Sequence, residues 1–325
     1  MIKTKQKRPT VKRYLQERLK NIPLTVLMGL FTAFCFASLI YFAVIGGHSR
    51  DCIISMVYFL IVPVFYLLEY ALNVRAPLGY TAFMLIFVLF CFLGACYNFY
   101  TIIPCLDDIL HACWGIVFAV IGIIIAKFLI GTPDTVKGVI LFVVFGIGAA
   151  MIFSIIWEIY EYVGDKIIPD MDMQEDTVVH SIHSFMLHDP YDHLHAYKID
   201  GIIKTVVTTE SGEVIELPIE GYLDVGIVDT MQDLIWCFVT AIVFSVILAI
   251  DWCKRKYFYR FFIPALLGEK YDKAGAYIGQ TSETEAAEEE KGADVAPAAE
   301  AADIAAETPA EAEQTPPEKQ EEEKE

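Results

Sequence analysis

Six blocks of about twenty apolar residues, at approximately 24–45, 53–72, 80–100, 109–130, 138–160 and 231–251, dominate this chain. As a helix, a block of that length covers the roughly 30 Å hydrocarbon core of a bilayer at about 1.5 Å per residue. Lipid offers the backbone no hydrogen-bond partner, so each block must satisfy its own peptide groups, and the helix does this within one segment. Composition agrees: 56% of the 325 residues are hydrophobic and only 20% charged, too few to coat a soluble core. The sequence therefore predicts an all-α polytopic membrane protein with six transmembrane helices and excludes a soluble α/β enzyme. The first block is longer than the apolar part of a signal peptide and lacks an evident small-x-small cleavage site, so it reads as span one. Pro63 is expected to bend span two.

Lysine and arginine set the direction. Eight basic residues between Lys3 and Lys20 precede span one, and Lys254, Arg255, Lys256 and Arg260 follow span six. The positive-inside rule then puts both termini of this multi-pass protein in the cytoplasm. On this reading residues 1–23 are a basic cytoplasmic start, in which Lys12–Lys20 lies against anionic headgroups. Residues 24–160 hold spans one to five, 161–229 an extracytoplasmic cap, 230–251 span six, and 252–280 a juxtamembrane segment that rests at the interface or re-enters it. Residues 281–325 carry sixteen acidic and three basic side chains in an Ala, Glu and Pro-rich run. That composition predicts a disordered acidic tail, open to protein contacts. The net charge of −18 mostly reports this tail, and no basic surface suited to nucleic acid appears.

The cap is also acidic, with fifteen acidic against three basic residues from Glu161 to Asp229. Ile202–Thr208 and Glu213–Ile219 flank a Gly-containing turn and predict a β-hairpin. Five histidines fall in this stretch. His180 and His183 would share a helical face, and His193 and His195 a strand face, in a composition suited to zinc or another transition metal but matching no defined spacing. The surface or packing reading of these histidines is the plainer one. The eight cysteines form no CxxC and lie mostly in apolar blocks, where Cys acts as a small hydrophobe, although Cys52, Cys105 and Cys113 fall near one interface and permit a bridge. Gly115, Gly122, Gly146 and Gly148 offer small surfaces for close helix contact.

Polar residues at the outward ends of spans four, five and six carry the chemistry. Asp107 and His111 are four apart at the start of span four, Glu158 and Glu161 three apart at the end of span five, and Asp229 and Asp233 four apart at the start of span six. Each pair shares a helical face, and the topology puts all three at one depth. Asp107, Asp108 or Asp229 would be explained as helix caps. Glu158 and Glu161 sit at a helix C-terminus, the unfavourable end for anions, and need another partner. Carboxylates with one imidazole suit a Mg²⁺, Mn²⁺ or Zn²⁺ centre, with Asp107, His111, Glu158, Asp229 and Asp233 as ligands and, more weakly, His180, His183, His193 and His195. His111, Glu158 and Glu161 are the candidates for acid–base work.

These motifs bring a resemblance with them. Asp107-Asp-Ile-Leu-His111-Ala-Cys-Trp-Gly115, Trp157-Glu158-Ile-Tyr-Glu161, Met173-Gln174 and Asp229-Thr-Met-Gln-Asp233-Leu resemble, in order, the signature segments of the YjdF-like bacterial inner-membrane proteins and, more distantly, of VanZ-like membrane proteins. The resemblance covers roughly residues 24–250. It implies a multi-helix membrane protein without an established activity, and carries over Asp107, His111, Glu158, Glu161, Asp229 and Asp233 as functional positions. It also implies a short loop where this chain has 54 residues between Gln174 and Asp229. Two readings of function follow. In one the polar site serves a metal-dependent hydrolase or transferase acting on a lipid or envelope substrate. In the other it serves a non-enzymatic membrane protein, through ion binding, transport or helix packing.

Overall fold

The computed structural model describes residues 10–46, 49–133, 135–168, 172–187, 194–254, 256–266, 269–271 and 277–280. The expected acidic tail at 281–325 and His193 lie outside them. Six helices are long and apolar enough to cross a membrane: Ile22–Gly46, Ser49–Leu72, Leu78–Tyr97, Leu106–Ile130, Val136–Ile167 and Ile227–Lys254. In chain order the helices are α1 (Val11–Leu19), α2 (Ile22–Tyr41, closing in a π-turn over Phe42–Gly46), α3 (Ser49–Leu72), α4 (Leu78–Tyr97), α5 (Phe99–Ile102), α6 (Leu106–Ile130), α7 (Val136–Ile167), α8 (Ile227–Lys254) and α9 (Tyr257–Phe262). The protein is an integral membrane protein with six spans, α2, α3, α4, α6, α7 and α8. Their outward faces keep large apolar side chains exposed, among them Leu30, Leu67, Leu129 and Ile152, as a lipid-facing surface requires.

Local chemistry sets the helix ends. The Asn21 side chain accepts from the Leu24 amide at the start of α2 and the Thr135 hydroxyl from the Gly138 amide at the start of α7. Asn98, at φ 58°, ends α4 and turns the chain into α5. Pro63 is carried inside α3. At 32 residues α7 is about 48 Å long, well beyond the hydrocarbon thickness, so its last turns emerge toward the headgroups.

The spans pack as two groups. α2, α3 and α4 share one apolar core with the near face of α6, including Leu24, Phe31, Phe92 and Leu110. α6, α7 and α8 make the tightest group, around Val120, Ile123, Phe142 and Phe244. Small residues let these three backbones meet. A Cβ on Gly122 of α6 would overlap the Phe145 carbonyl of α7, and one on Gly115 would overlap the Cys237 carbonyl and Thr240 hydroxyl of α8. Gly146 faces Ser245 and Ala119 at ordinary to tight distance, whereas Gly148 has nothing near it and takes no part in the expected close contact.

At one end of the bundle the segments that flank the spans are drawn in. Arg18 of α1 meets Glu69 of α3 in an ion pair at 3.0 Å, with both side chains buried. The Tyr14 hydroxyl and the Ala76 amide donate to the same carboxylate, each at 2.6 Å. The segment expected against headgroups is thus a helix with two of its polar residues turned into the protein. Past α8, the short α9 packs on α4, and β8 (Ala265–Leu266) pairs antiparallel with β1 (Val74–Arg75). Lys127, at the end of α6, is buried and donates to the Pro264 carbonyl at 2.8 Å. The 257–266 stretch therefore folds beneath the bundle and does not cross it.

At the opposite end, the described residues of the insertion between α7 and α8 form three antiparallel pairs: β2 (Thr177–Val179) with β7 (Tyr222–Asp224), β3 (Ser181–Ser184) with β4 (Tyr197–Asp200), and β5 (Val206–Thr208) with β6 (Val214–Glu216). The last is the hairpin read from the sequence, with its first strand starting at Val206 instead of Ile202 and its second running Val214–Glu216 instead of Glu213–Ile219. All eight cysteines are free, so the bridge that Cys52, Cys105 and Cys113 permitted is not formed.

Two outcomes test this packing. Gly122→Ala is expected to cost about 1–3 kcal/mol, by forcing α6 from α7, while Gly148→Ala leaves thermal unfolding in detergent unchanged. Glu69→Ala strands the buried Arg18 guanidinium, and thermal unfolding should report a loss of about 3–5 kcal/mol.

Candidate functional site

α6 begins, α7 ends and α8 begins at the insertion end, so three helix termini bring their polar residues together. His111 is the centre. Its Nε2 lies 3.7 Å from Asp107 Oδ2 and 3.7 Å from Asp233 Oδ2, and its Nδ1 lies 3.6 Å from Glu158 Oε1. The approach is possible because Gly115, one turn beyond His111, lets α6 touch the α8 backbone at Cys237, one turn beyond Asp233. Asp107, His111 and Asp233 each offer a ligand atom, all within 4.8 Å of one another, and form the one such group among the described residues. Glu161 is one turn from Glu158 on the same buried face of α7.

The cluster is short of positive charge. Asp107, Glu158, Glu161 and Asp233 are four carboxylates around a single imidazole. The Asp233 side chain is 1% exposed and that of Glu158 6%, while Asp107, at 24%, is the open edge. Among the described residues, both oxygens of Glu158, one of Glu161 and one of Asp233 have no hydrogen-bond partner of good geometry, nor has His111 Nδ1, although the Thr230 hydroxyl lies beside the Glu158 carboxyl. Two unit charges 4 Å apart repel by about 4 kcal/mol even at an effective dielectric of 20. Buried polar atoms left without partners cost about 1–3 kcal/mol each. Aromatic rings floor the site: Trp114 packs on Trp157 at 5.3 Å and on Phe118 at 4.4 Å, and the Trp114 Nε1 is itself buried without a partner. At the rim, partial burial of the Glu175 carboxyl and then the nearby Asp108 carboxylate push Glu175 above the ordinary carboxyl range. Such a set calls for a cation or for protons.

The profile of one family, described as "Predicted membrane protein (DUF2238)", matches residues 26–254, from span one to the end of span six. The chain belongs to this family. No curated protein and no solved structure matches it. All six positions singled out on spans four to six lie inside the DUF2238 match, as does the whole insertion.

Within this DUF2238 chain the structure separates the expected site residues. Asp107, His111, Glu158 and Asp233 come together with Glu161 beside them. Asp229 lies beside the cluster, within electrostatic reach of Asp107, Glu158 and Asp233, and also holds the insertion, its Oδ2 accepting from the Glu175 amide at 2.9 Å, while Asp224 accepts from Val228 as the cap of α8. The loop histidines stand apart from the helix ends in kind. His183 is exposed on β3 opposite Lys198, His180 precedes that strand with Nδ1 3.0 Å from the Ile202 carbonyl, and His195 is exposed. His180 and His183 thus do not share a helical face. Neither they nor His195 enter a three-ligand group among the described residues.

Some participants escape a reading of the sequence. Asp165 accepts from the amides of Met173 and Gln174 at 2.7 and 3.0 Å, and Gln174 Nε2 donates to Thr230 Oγ1. Met173-Gln174 and Asp229-Thr230 stood out as motifs. That each holds the other is visible only once α7 and α8 are placed. Trp114 Nε1 gave no signal, because a tryptophan in an apolar block reads as packing.

If unpartnered carboxyl oxygens are the defect of the ion-free site, Glu158→Gln should raise thermal stability in the presence of a chelator by about 1–3 kcal/mol.

Proposed function

We propose that this protein holds a divalent cation between Asp107, His111 and Asp233 at the outer-leaflet end of its bundle. It resides in the bacterial cytoplasmic membrane with both termini in the cytoplasm, as the lysine and arginine distribution indicates, and its motifs align it with the YjdF-like proteins. The observation that carries the reading is a cluster of four carboxylates, three of them buried, with a single buried imidazole, in which Glu158, Glu161, Asp233 and His111 keep atoms without partners among the described residues. An ion with bonds of about 2.1 Å in tetrahedral geometry sets ligands roughly 3.4 Å apart, close to the 3.7 Å between His111 and each aspartate. Glu158, facing the other imidazole nitrogen, is placed to orient the ring as an outer partner.

The activity that best fits is metal-dependent hydrolysis or transfer on a lipid or envelope substrate. A bound divalent ion polarises a phosphoryl or carbonyl oxygen and acidifies a water. Glu158 acts through the imidazole it faces, and Glu161, next along the helix, is the candidate general base. Asp107, the most exposed member, faces the side from which a headgroup would come. The burial of Glu158 and Asp233 favours a second reading, a non-enzymatic cation site serving transport or regulation, because a small ion reaches them more readily than a headgroup does.

Purified full-length protein in detergent should bind about one Mn²⁺ or Zn²⁺ per chain, and Asp107→Asn or Asp233→Asn should each weaken binding by at least about tenfold. Binding should weaken as pH falls, because protons compete for the same ligands. A wild-type protein that takes up neither ion in calorimetry or metal analysis overturns the proposal. Ion binding together with proteoliposome uptake that Glu158→Gln abolishes would select the transport reading over hydrolysis.

A further inference from the structure

The two ends of the insertion are tied to each other and to the spans beside the cluster. Asp165, in the last turn of α7, accepts from the amides of Met173 and Gln174 with its two carboxylate oxygens. The Gln174 side chain then crosses to α8 and donates to Thr230 Oγ1 at 2.5 Å, and the next amide, of Glu175, donates to Asp229. The turn into α8 closes on the same glutamine. Gly226 has φ +79°, and a Cβ there would lie 2.8 Å from Gln174 Cβ. Asp229 and Thr230 lie in the first turn of α8, and Asp233 follows Asp229 by one turn. The segment between the two ends is 54 residues long, and the β2–β7 pair, with Thr177 opposite Asp224, closes its base.

We infer that Asp165, Gln174, Asp229 and Thr230 form a latch that positions Asp233, and thereby places the insertion in control of the cation site. The inference rests on the cation reading above. The physical reason is that the first turn of a helix has no intrahelical acceptors for its amides and frays most easily. A 54-residue excursion imposes no register on that turn by itself, since the restraint of a loop weakens with its length. The latch supplies the register from α7, the helix that also carries Glu158 and Glu161. Ligand side chains must sit within about 0.5 Å of their working geometry, so loosening the turn one step before Asp233 moves a ligand without touching it. A molecule that engages the insertion and strains the Gln174–Thr230 bond would release the ion; one that tightens it would hold the ion.

The test uses full-length protein in detergent and a Mn²⁺ titration followed by electron paramagnetic resonance, with amide hydrogen exchange across residues 227–236 measured in chelator. Gln174→Ala should raise the Mn²⁺ dissociation constant about 10–100-fold and speed exchange in the metal-free first turn of α8, and Thr230→Val, which also removes the hydroxyl beside Glu158, should do at least as much. Thr230→Ser, which keeps the hydroxyl, should stay within about twofold of wild type. Thermal unfolding checks that each variant is folded, and Gln174→Ala reports alone if Thr230→Val is not. Unchanged Mn²⁺ affinity in a folded Gln174→Ala protein overturns the latch while leaving the cation site standing. If wild type binds no Mn²⁺, the cation reading fails and exchange decides the rest: faster exchange in Gln174→Ala and Thr230→Val, but not Thr230→Ser, upholds the latch, and unchanged exchange overturns it.

Discussion

The close approach of α6, α7 and α8 sets the terms for everything else in this molecule. Gly115 and Gly122 let backbones touch where side chains would hold them apart, and the apolar interior of the bundle follows from that contact. The same contact forces Asp107, His111, Glu158 and Asp233 into one small volume at the insertion end. Carboxylates repel one another most where water is least present to screen them. A packing choice in the apolar layer thus creates an electrostatic demand at its edge, the demand that the proposed cation would answer.

The two ends of the bundle handle buried charge differently. At the end bearing the flanking segments, Glu69 is satisfied by Arg18, Tyr14 and Ala76, and Lys127 by the Pro264 carbonyl. Each of those charges meets an opposite charge or a backbone group within the chain, and together they hold α1 and the 257–266 stretch in place. At the other end the carboxylates outnumber their partners, and unpartnered oxygens remain. This contrast supports the proposed role of the insertion end more than any single distance does.

The insertion belongs to that site through its roots. Its strands are short and largely exposed, so hydrogen bonds at its base, between Asp165, Gln174, Asp229 and Thr230, connect it to the spans. Asp229 and Asp233, one helical turn apart, consequently play separate parts, the first holding the neighbouring chain and the second facing the imidazole.

Six spans, their approximate limits, the β5–β6 hairpin and the pairing of acids along each helix were all legible in the residues, because hydrophobic length and helical spacing are local properties that water and lipid impose on any chain. The resemblance in spans four to six pointed to the same six side chains for which the helix ends provide the setting. What the residues alone left open was which acid meets which partner. Asp229 and Asp233 are equivalent by spacing, and Gly146 and Gly148 are equivalent by type, yet one member of each pair takes the contact and the other does not. The inward turn of Arg18, the burial of Lys127 and the Gln174–Thr230 bond are likewise tertiary. Rotation of each helix about its axis decides them, and that rotation is set by how three surfaces fit together, which no single segment encodes.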